Sequence, residues 1–364
     1  MLLQELTGFL ELIAPPALQE DYDNSGLITG HPQQEITRAI ISLDCTEAVI
    51  DEAVAEGAEL VIAHHPVVFR GLKKLTGRTY VERTILNAIR NNIAIYAIHT
   101  NLDHVPEGVN GRICQKLGLE HSKILAPRGG MLRKLVTFCP HAHVDTLREA
   151  LFSAGAGHIG NYDACSFNVE GYGTFRPGAG TQPFAGEAGK QHREPETRIE
   201  TIFPGYLEGQ VVNALLQAHP YEEVAYDIYP LANTWSQAGA GMVGTLPQEV
   251  PLMEFLGEVK QKMNAGCIRY TAPVKGTVQR VAVCGGAGGF LLREAIRAGA
   301  DVFITSDYKY HEFFDAEGKI VIADIGHFES EQFTGELLLE NISKQFPNFA
   351  ALLTKVNTNP VNYL

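Results

Sequence analysis

AVAEGAELVIAHH (residues 53–65) and AIRAGADVFITSD (residues 295–307) align without a gap, although they lie in opposite halves of the chain. Gly57 falls on Gly299, Glu59 on Asp301, His64 on Ser306 and His65 on Asp307. In each copy the glycine stands where a helix ends and φ turns positive. The LVIA and VFIT runs that follow are nearly all apolar, as expected of parallel strands buried on both faces. Upstream, RAIISLD (38–44) and RVAV (280–283) read as strands, and Thr46 with Glu47 reads as the start of a helix, the threonine as N-cap. Downstream, NIAIYAIHTNLD (92–103) is matched by KIVIADIGHFESE (319–331). The sequence therefore predicts two pseudo-symmetric α/β halves, each of β-α-β-α-β type.

Ligand sites in open α/β sheets lie beyond the carboxyl ends of the strands. Four such ends carry polar residues here: His64 with His65, His99 through Asp103, Ser306 with Asp307, and His327 through Glu331. Each has a plain structural reading. Adjacent histidines can be a solvated strand end, Asp103 can cap the helix implied by PEGVNGRICQKLGL (106–119), and His99 can serve to orient a carboxylate ligand. His327 and Glu331 lie four apart, on one face if a helix starts at Gly326. Four polar ends in equivalent positions favour a shared site over four coincidences. Three imidazoles and two carboxylates (His64, His65, His327, Asp103, Glu331) are too many for one catalytic zinc and suit two bridged metals.

The composition sets the frame. The 364 residues are 45% hydrophobic and 20% charged, which suits a globular protein of two or three domains. The net charge of −13 comes without a basic stripe, so neither a nucleic-acid partner nor a membrane partner is expected. The start, MLLQELTGFLELIAPP, has no basic leader and reads as an amphipathic helix rather than a signal peptide. Six cysteines, scattered without a C-x-x-C pair, point to a cytoplasmic location and against a thiolate zinc site. VCGGAGGF (283–290) lacks the pattern of a P-loop and reads as a tight strand-to-helix turn, with a phosphate contact as its second reading.

Six ordered motifs, DYDNSGL (21–27), SLDCT (42–46), AHHP (63–66), HTNLD (99–103), SDYKYH (306–311) and GHFESE (326–331), resemble the NIF-three-like family, whose bacterial members are named GTP cyclohydrolase 1 type 2 homologs. The resemblance implies a dinuclear centre of two divalent metal ions per subunit, zinc, iron, manganese or cobalt. It implies His64, His65, Asp103, His327 and Glu331 as ligands, with Glu331 or Asp103 bridging. It further implies Asp307 and His311 as acid/base residues lining the pocket, and a homo-oligomer, a toroidal hexamer in known members. No organic cofactor is implied.

Residues 128–232 interrupt the two halves, dividing the chain into a first core half (1–127), an insert, and a second core half (233–364). The insert reads as strand (RKLVTFCP), helix (VDTLREALFS), a turn-rich stretch from GYGTF onward, strand (ETRIETIFP), helix (EGQVVNALLQA) and strand (VAYDIYPL). The expected order is β-α-β-β-α-β, a ferredoxin-like α+β domain. It resembles the P-two/CutA-like domain of longer family members, with HPYEEV (219–224) as the telling stretch. His219, Glu222 and Glu223 are expected to serve a helix end and strand edge rather than a metal. Two functions stay open: a metal-dependent hydrolase acting on a small nucleotide or phosphoester, and a non-catalytic metal store, metallochaperone or regulatory scaffold.

Overall fold

The first repeat forms the middle of a five-stranded sheet. The computed structural model describes residues 1–364. Helix α1 (Leu3–Ile13) and strand β1 (Gly26–Thr29) lead to β2 (Arg38–Asp44), α2 (Glu47–Glu56), β3 (Leu60–His65), α3 (Tyr80–Arg90) and β4 (Ala94–Ala97). Strands β2, β3 and β4 run parallel, with β1 antiparallel on the outer side of β4. The Thr46 hydroxyl accepts from the Val49 amide at the start of α2. The α1 helix buries Leu3, Leu6 and Leu10, the face that its periodicity predicts. A short α4 (Thr100–Asp103), α5 (Val109–Leu117) and β5 (Glu120–Gly129) follow. The N-cap of α5 is Gly108, not Asp103, which instead ends the separate turn of α4.

Residues 127–236 form a compact unit of their own. It contains β6 (Leu132–Pro140), α6 (Val144–Ser153), β7 (Phe167–Phe175), β8 (His192–Pro204), α7 (Glu208–Ala218) and β9 (Tyr226–Pro230). The antiparallel sheet has the order β7-β8-β6-β9. Leu135, Leu147, Leu151, Phe203, Val211 and Leu215 form its core. GYGTF (171–175), expected as turn, is the end of β7. Gly173 serves a close approach rather than a reversal: a Cβ on it would lie 2.0 Å from the Glu196 carboxylate.

The other unit comprises residues 1–126 and 237–364. Its second half adds β10 (Thr234–Pro251), α8 (Leu252–Lys262), β11 (Arg269–Tyr270), β12 (Thr277–Val283), α9 (Leu292–Arg297), β13 (Val302–Thr305), β14 (Val321–Asp324), α10 (His327–Glu331), α11 (Thr334–Gln345) and β15 (Ala350–Leu353). The second sheet runs β11-β14-β13-β12-β10-β5, and the first runs β1-β4-β3-β2-β15. In each, consecutive parallel strands (β2-β3-β4 and β12-β13-β14) carry an antiparallel edge strand on the last of them, while β15 extends the first sheet parallel to β2 and β10 the second antiparallel to β12. No helix is long and apolar enough to cross a membrane.

The repeat is a repeat of packing. Ala53, Ala58 and Val61 lie in one core, and their counterparts Ala295, Ala300 and Phe303 lie in the other. Gly57 and Gly299 end their helices at φ of +66° and +69°. Glu59 accepts from the amides of Thr37 and Arg38 at the start of β2. Asp301 accepts from those of Gln279 and Arg280 in the middle of β12. Each carboxylate thus clamps the strand that precedes its helix. Replacing Asp301 or Glu59 by alanine leaves two amides without their charged acceptor. Each change should lower unfolding free energy by about 1–3 kcal/mol, read from urea unfolding. An unchanged midpoint in both variants would show that the clamps contribute nothing.

Candidate metal centre

The carboxyl ends of the parallel strands bring the polar residues together. His64 and His65 end β3, His99 follows β4, and Asp103 ends α4. Gly326, at φ +98°, starts α10 and sets His327 and Glu331 one turn apart. One carboxylate oxygen, Glu331 Oε2, lies 2.9 Å from His65 Nε2 and 3.1 Å from His327 Nε2. The two Nε2 atoms are 3.4 Å apart. His64 Nε2 and Asp103 Oδ1 face each other at 3.6 Å. Three overlapping sets have ligand atoms within 4.8 Å of one another: His64/His65/His99, His65/His327/Glu331 and His64/Asp103/Glu331. His65, His99, Asp103, His327 and Glu331 line one cavity of about 980 Å³, with His64 fully buried behind them.

Every ring is held from behind. His64 donates its Nδ1–H to the Ile98 carbonyl at 2.7 Å, and His65 to Asp44 at 2.8 Å. His99 donates to Asp23 at 2.7 Å, and His327 to Asp307 at 2.7 Å. The acceptors are carbonyls and carboxylates, so Nδ1 carries the proton in each ring. Nε2 is left facing the site. This is the arrangement that fixes the tautomer of metal-binding histidines. His99, expected to orient a carboxylate, is itself oriented by one and joins the histidine cluster. Asp23 and Asp44 have no role in the sequence reading. Asp44 ends β2, so the rule applied to the other strand ends points to it as well. Asp23 lies in a loop and gives no periodic signal.

Protonation divides the cluster. Burial drives the His64 pKa down to about 3, so its imidazole is neutral. Burial, and then repulsion by Glu331, pushes Asp103 well above the usual carboxylate range. Neither His64 Nε2 nor Asp103 Oδ1 has a hydrogen-bond partner, and 3.6 Å is too long for one. His65 and His327 behave oppositely. Burial opposes their charge, but hydrogen bonds donated to Asp44 and Glu331 raise His65 to about 9, and those donated to Asp307 and Glu331 raise His327 to about 11. Burial likewise works against ionised Glu331, yet the two histidines hold it well below the ordinary range. Two buried polar atoms without partners, beside two rings that converge on one oxygen, form a donor set that fits a hard or borderline divalent cation.

The glycine-rich turn at 283–290 serves this carboxylate. A Cβ on Gly286, at φ +61°, would lie 2.4 Å from Glu331 Oε1 and 3.3 Å from His327 Cε1. Three of the turn's amides already have partners: Gly285 donates to Asn110, Gly286 to Ser330 and Gly288 to Thr305. Asp307 lines the cavity, but His311 does not. The Lys309 amide donates to Glu312 and closes a tight 3-10 turn, which leaves His311 exposed beside Tyr310 and Phe314. In the inserted unit, the His219 ring bonds the Phe138 carbonyl and the Tyr221 amide, and Glu222 accepts from Gln182. Neither belongs to a set of converging metal-ligand atoms.

The sequence pattern of Duf34/NIF3 (NGG1p interacting factor 3) matches residues 1–360, and the chain belongs to that family. The GTP cyclohydrolase 1 type 2 homolog of Halalkalibacterium halodurans is 40% identical over 368 residues, covering 99% of this chain and 98% of that protein. The protein of the same name from Bacillus subtilis is 38% identical over 367 residues, again covering 99% and 98%. The crystal structure of a Bacillus cereus protein related to NIF3 superposes with a TM-score of 0.88 at 38% identity, covering 100% of this chain and 99% of that one.

Two outcomes follow. Gly286→Val should press on Glu331 and lower metal uptake at least about tenfold while the fold is kept, read by titration with zinc and circular dichroism. In the metal-free chain the folded pKa values of His65 and His327 lie above the ordinary 6.5. Their stabilisation is therefore complete below about pH 6.5 and is lost as the pH rises through about 9 and then about 11. The urea midpoint of chelator-treated protein should fall across that range, and His65→Gln should flatten the fall.

Proposed function

We propose that the cluster holds two divalent metal ions and that the chain is a metal-dependent hydrolase of a nucleotide or phosphoester. The observation that carries this reading is the pair of buried polar atoms without partners, His64 Nε2 and Asp103 Oδ1, beside the convergence of His65 and His327 on Glu331. His64, His65, Asp103, His327 and Glu331 are the ligands in this reading. Glu331 belongs to both carboxylate-containing sets and is assigned as the bridge. Zinc, iron, manganese and cobalt all suit imidazole with carboxylate. Such ions supply Lewis acidity, lowering the pKa of water and withdrawing charge from a substrate oxygen.

The chain's own groups do the rest. Asp44 and Asp307 hold the His65 and His327 rings with Nε2 turned inward, and Asp23 does the same for His99. Asp307 is thus assigned a positioning role beside its place in the cavity wall, and His311 is left without a role at the reacting centre. The inserted unit's β-α-β-β-α-β order is read as ferredoxin-like, a regulatory P-two/CutA-like domain. A cytoplasmic homo-hexamer completes the reading, tested by light scattering.

Elemental analysis of untagged protein purified without chelator tests the core of it. About two metal ions per chain are expected, falling sharply in His64→Ala/His65→Ala. Glu331→Gln should abolish hydrolysis of nucleotide and phosphoester substrates. Full activity in that variant would sink the hydrolase reading. Bound metal that passes readily to an apo-acceptor, with no substrate consumed, would favour a metal store instead.

A further inference from the structure

Charge in the wall of the cavity is lopsided. Seven carboxylates line it, and Arg269 is its only lysine or arginine. Arg269 leaves β11 at the edge of the second sheet, where it pairs with Asp324 and donates to the Tyr308 carbonyl at 3.0 Å. The Arg269 side chain as a whole is still 55% exposed. An anion entering this cavity therefore meets a single arginine in its wall, apart from the histidine cluster.

The same arginine lines a second recess, of about 570 Å³, on its other side. That recess is walled by Tyr270, Tyr310, Phe313 and Phe314, and the guanidinium lies 5.4 Å from the Phe313 ring centre. Tyr310 and Phe314 are 72% and 65% exposed, unusual for large rings one turn apart. One segment builds both walls. Asp307 holds His327, and the Tyr308 amide donates to the Asp324 that holds Arg269. Three residues further on, the 3-10 turn Tyr310–Ala316 presents the aromatic rings. The SDYKYH motif thus ties the histidine cluster, Arg269 and the aromatic recess together.

We propose that Arg269 and the recess of Tyr270, Tyr310 and Phe314 form the specificity subsite for a flat heteroaromatic ring carrying an anionic phosphate. The ring stacks in the recess, and the phosphate meets Arg269 on its way to the histidine cluster. For the far end of the ligand this rests on the metal reading above. Rings of any base stack on aromatic side chains, and a guanidinium pairs with phosphate through charge-assisted hydrogen bonds. The volume suits a purine-sized group.

Calorimetric titration tests this with three probes: guanosine 5′-monophosphate, guanosine, which lacks the anion, and ribose 5-phosphate, which lacks the ring. Each is run on zinc-loaded and on zinc-free protein. The monophosphate should bind zinc-loaded wild type at least about tenfold more tightly than either partial probe. Arg269→Gln should erase its advantage over guanosine. Tyr310→Ala/Phe314→Ala should erase its advantage over ribose 5-phosphate. Both variants should keep wild-type zinc content and sedimentation. Equal binding of monophosphate and ribose 5-phosphate, or no binding of the monophosphate, would overturn the proposal. So would a change of oligomeric size in the aromatic variant, which would assign the recess to a second copy of the chain. Failure of zinc to bind while ring and phosphate discrimination persists in zinc-free protein would overturn the metal reading and leave the subsite standing.

Discussion

Everything around the site answers to one buried carboxylate. Glu331 is almost fully enclosed, and its Oε2 accepts from both His65 and His327. An ionised carboxylate in such a place is costly unless it is paired. In the metal-free chain the two protonated imidazoles supply the opposing charge, and Asp44 and Asp307 in turn stabilise them. The result is a row of alternating charges, Asp44–His65–Glu331–His327–Asp307, drawn from both halves of the chain. A divalent cation would replace the two protons and keep the same frame.

The backbone near Glu331 is shaped by that requirement. Gly286 passes so close that a methyl group would collide with the carboxylate, and a methyl on Gly285 would press on Val109 at 2.9 Å and on the Glu331 stem at 3.3 Å. Their amides are used up by Asn110 and Ser330. Gly326 lets α10 begin abruptly and so delivers His327 and Glu331 together. Glycine appears at these positions because of close approach and positive φ, not because the loop is mobile. The lone pairs of His64 and Asp103, left unanswered in the interior, lie next to this frame and mark where a cation would relieve the largest local penalty.

The two-fold repetition explains how a chain can bring ligands from distant positions to one place. Each half ends its parallel strands on polar groups, and the matched clamps of Glu59 and Asp301 keep the two sheets built alike. The halves have diverged in what those ends carry. Where β3 ends on two histidines, β13 runs into Ser306 and Asp307, so one strand end presents imidazoles and its counterpart a carboxylate that orients one. A site assembled this way needs both halves folded, which links metal affinity to global stability.

Sequence by itself determined the elements and much of the site's membership. The repeat of Gly57 and Gly299, the apolar strands after them and the His327/Glu331 spacing are local patterns, and local patterns survive in one dimension. The chemistry of imidazole and carboxylate at strand ends does too. Only the tertiary structure decided which atoms meet. His65 and Glu331 are 266 residues apart, and Asp23 reaches His99 across 76. Ring orientation depends on such partners, so the role of Asp23 and the standing of His99 were not legible along the chain, whereas Asp44 stands at a strand end like the other site residues. The exposure of His311 was equally hidden, because a single hydrogen bond from the Lys309 amide to Glu312 turns it away from the cavity. Residue type and spacing are properties of the chain, whereas hydrogen-bond direction, burial and the charge they impose arise only where distant segments are packed against one another.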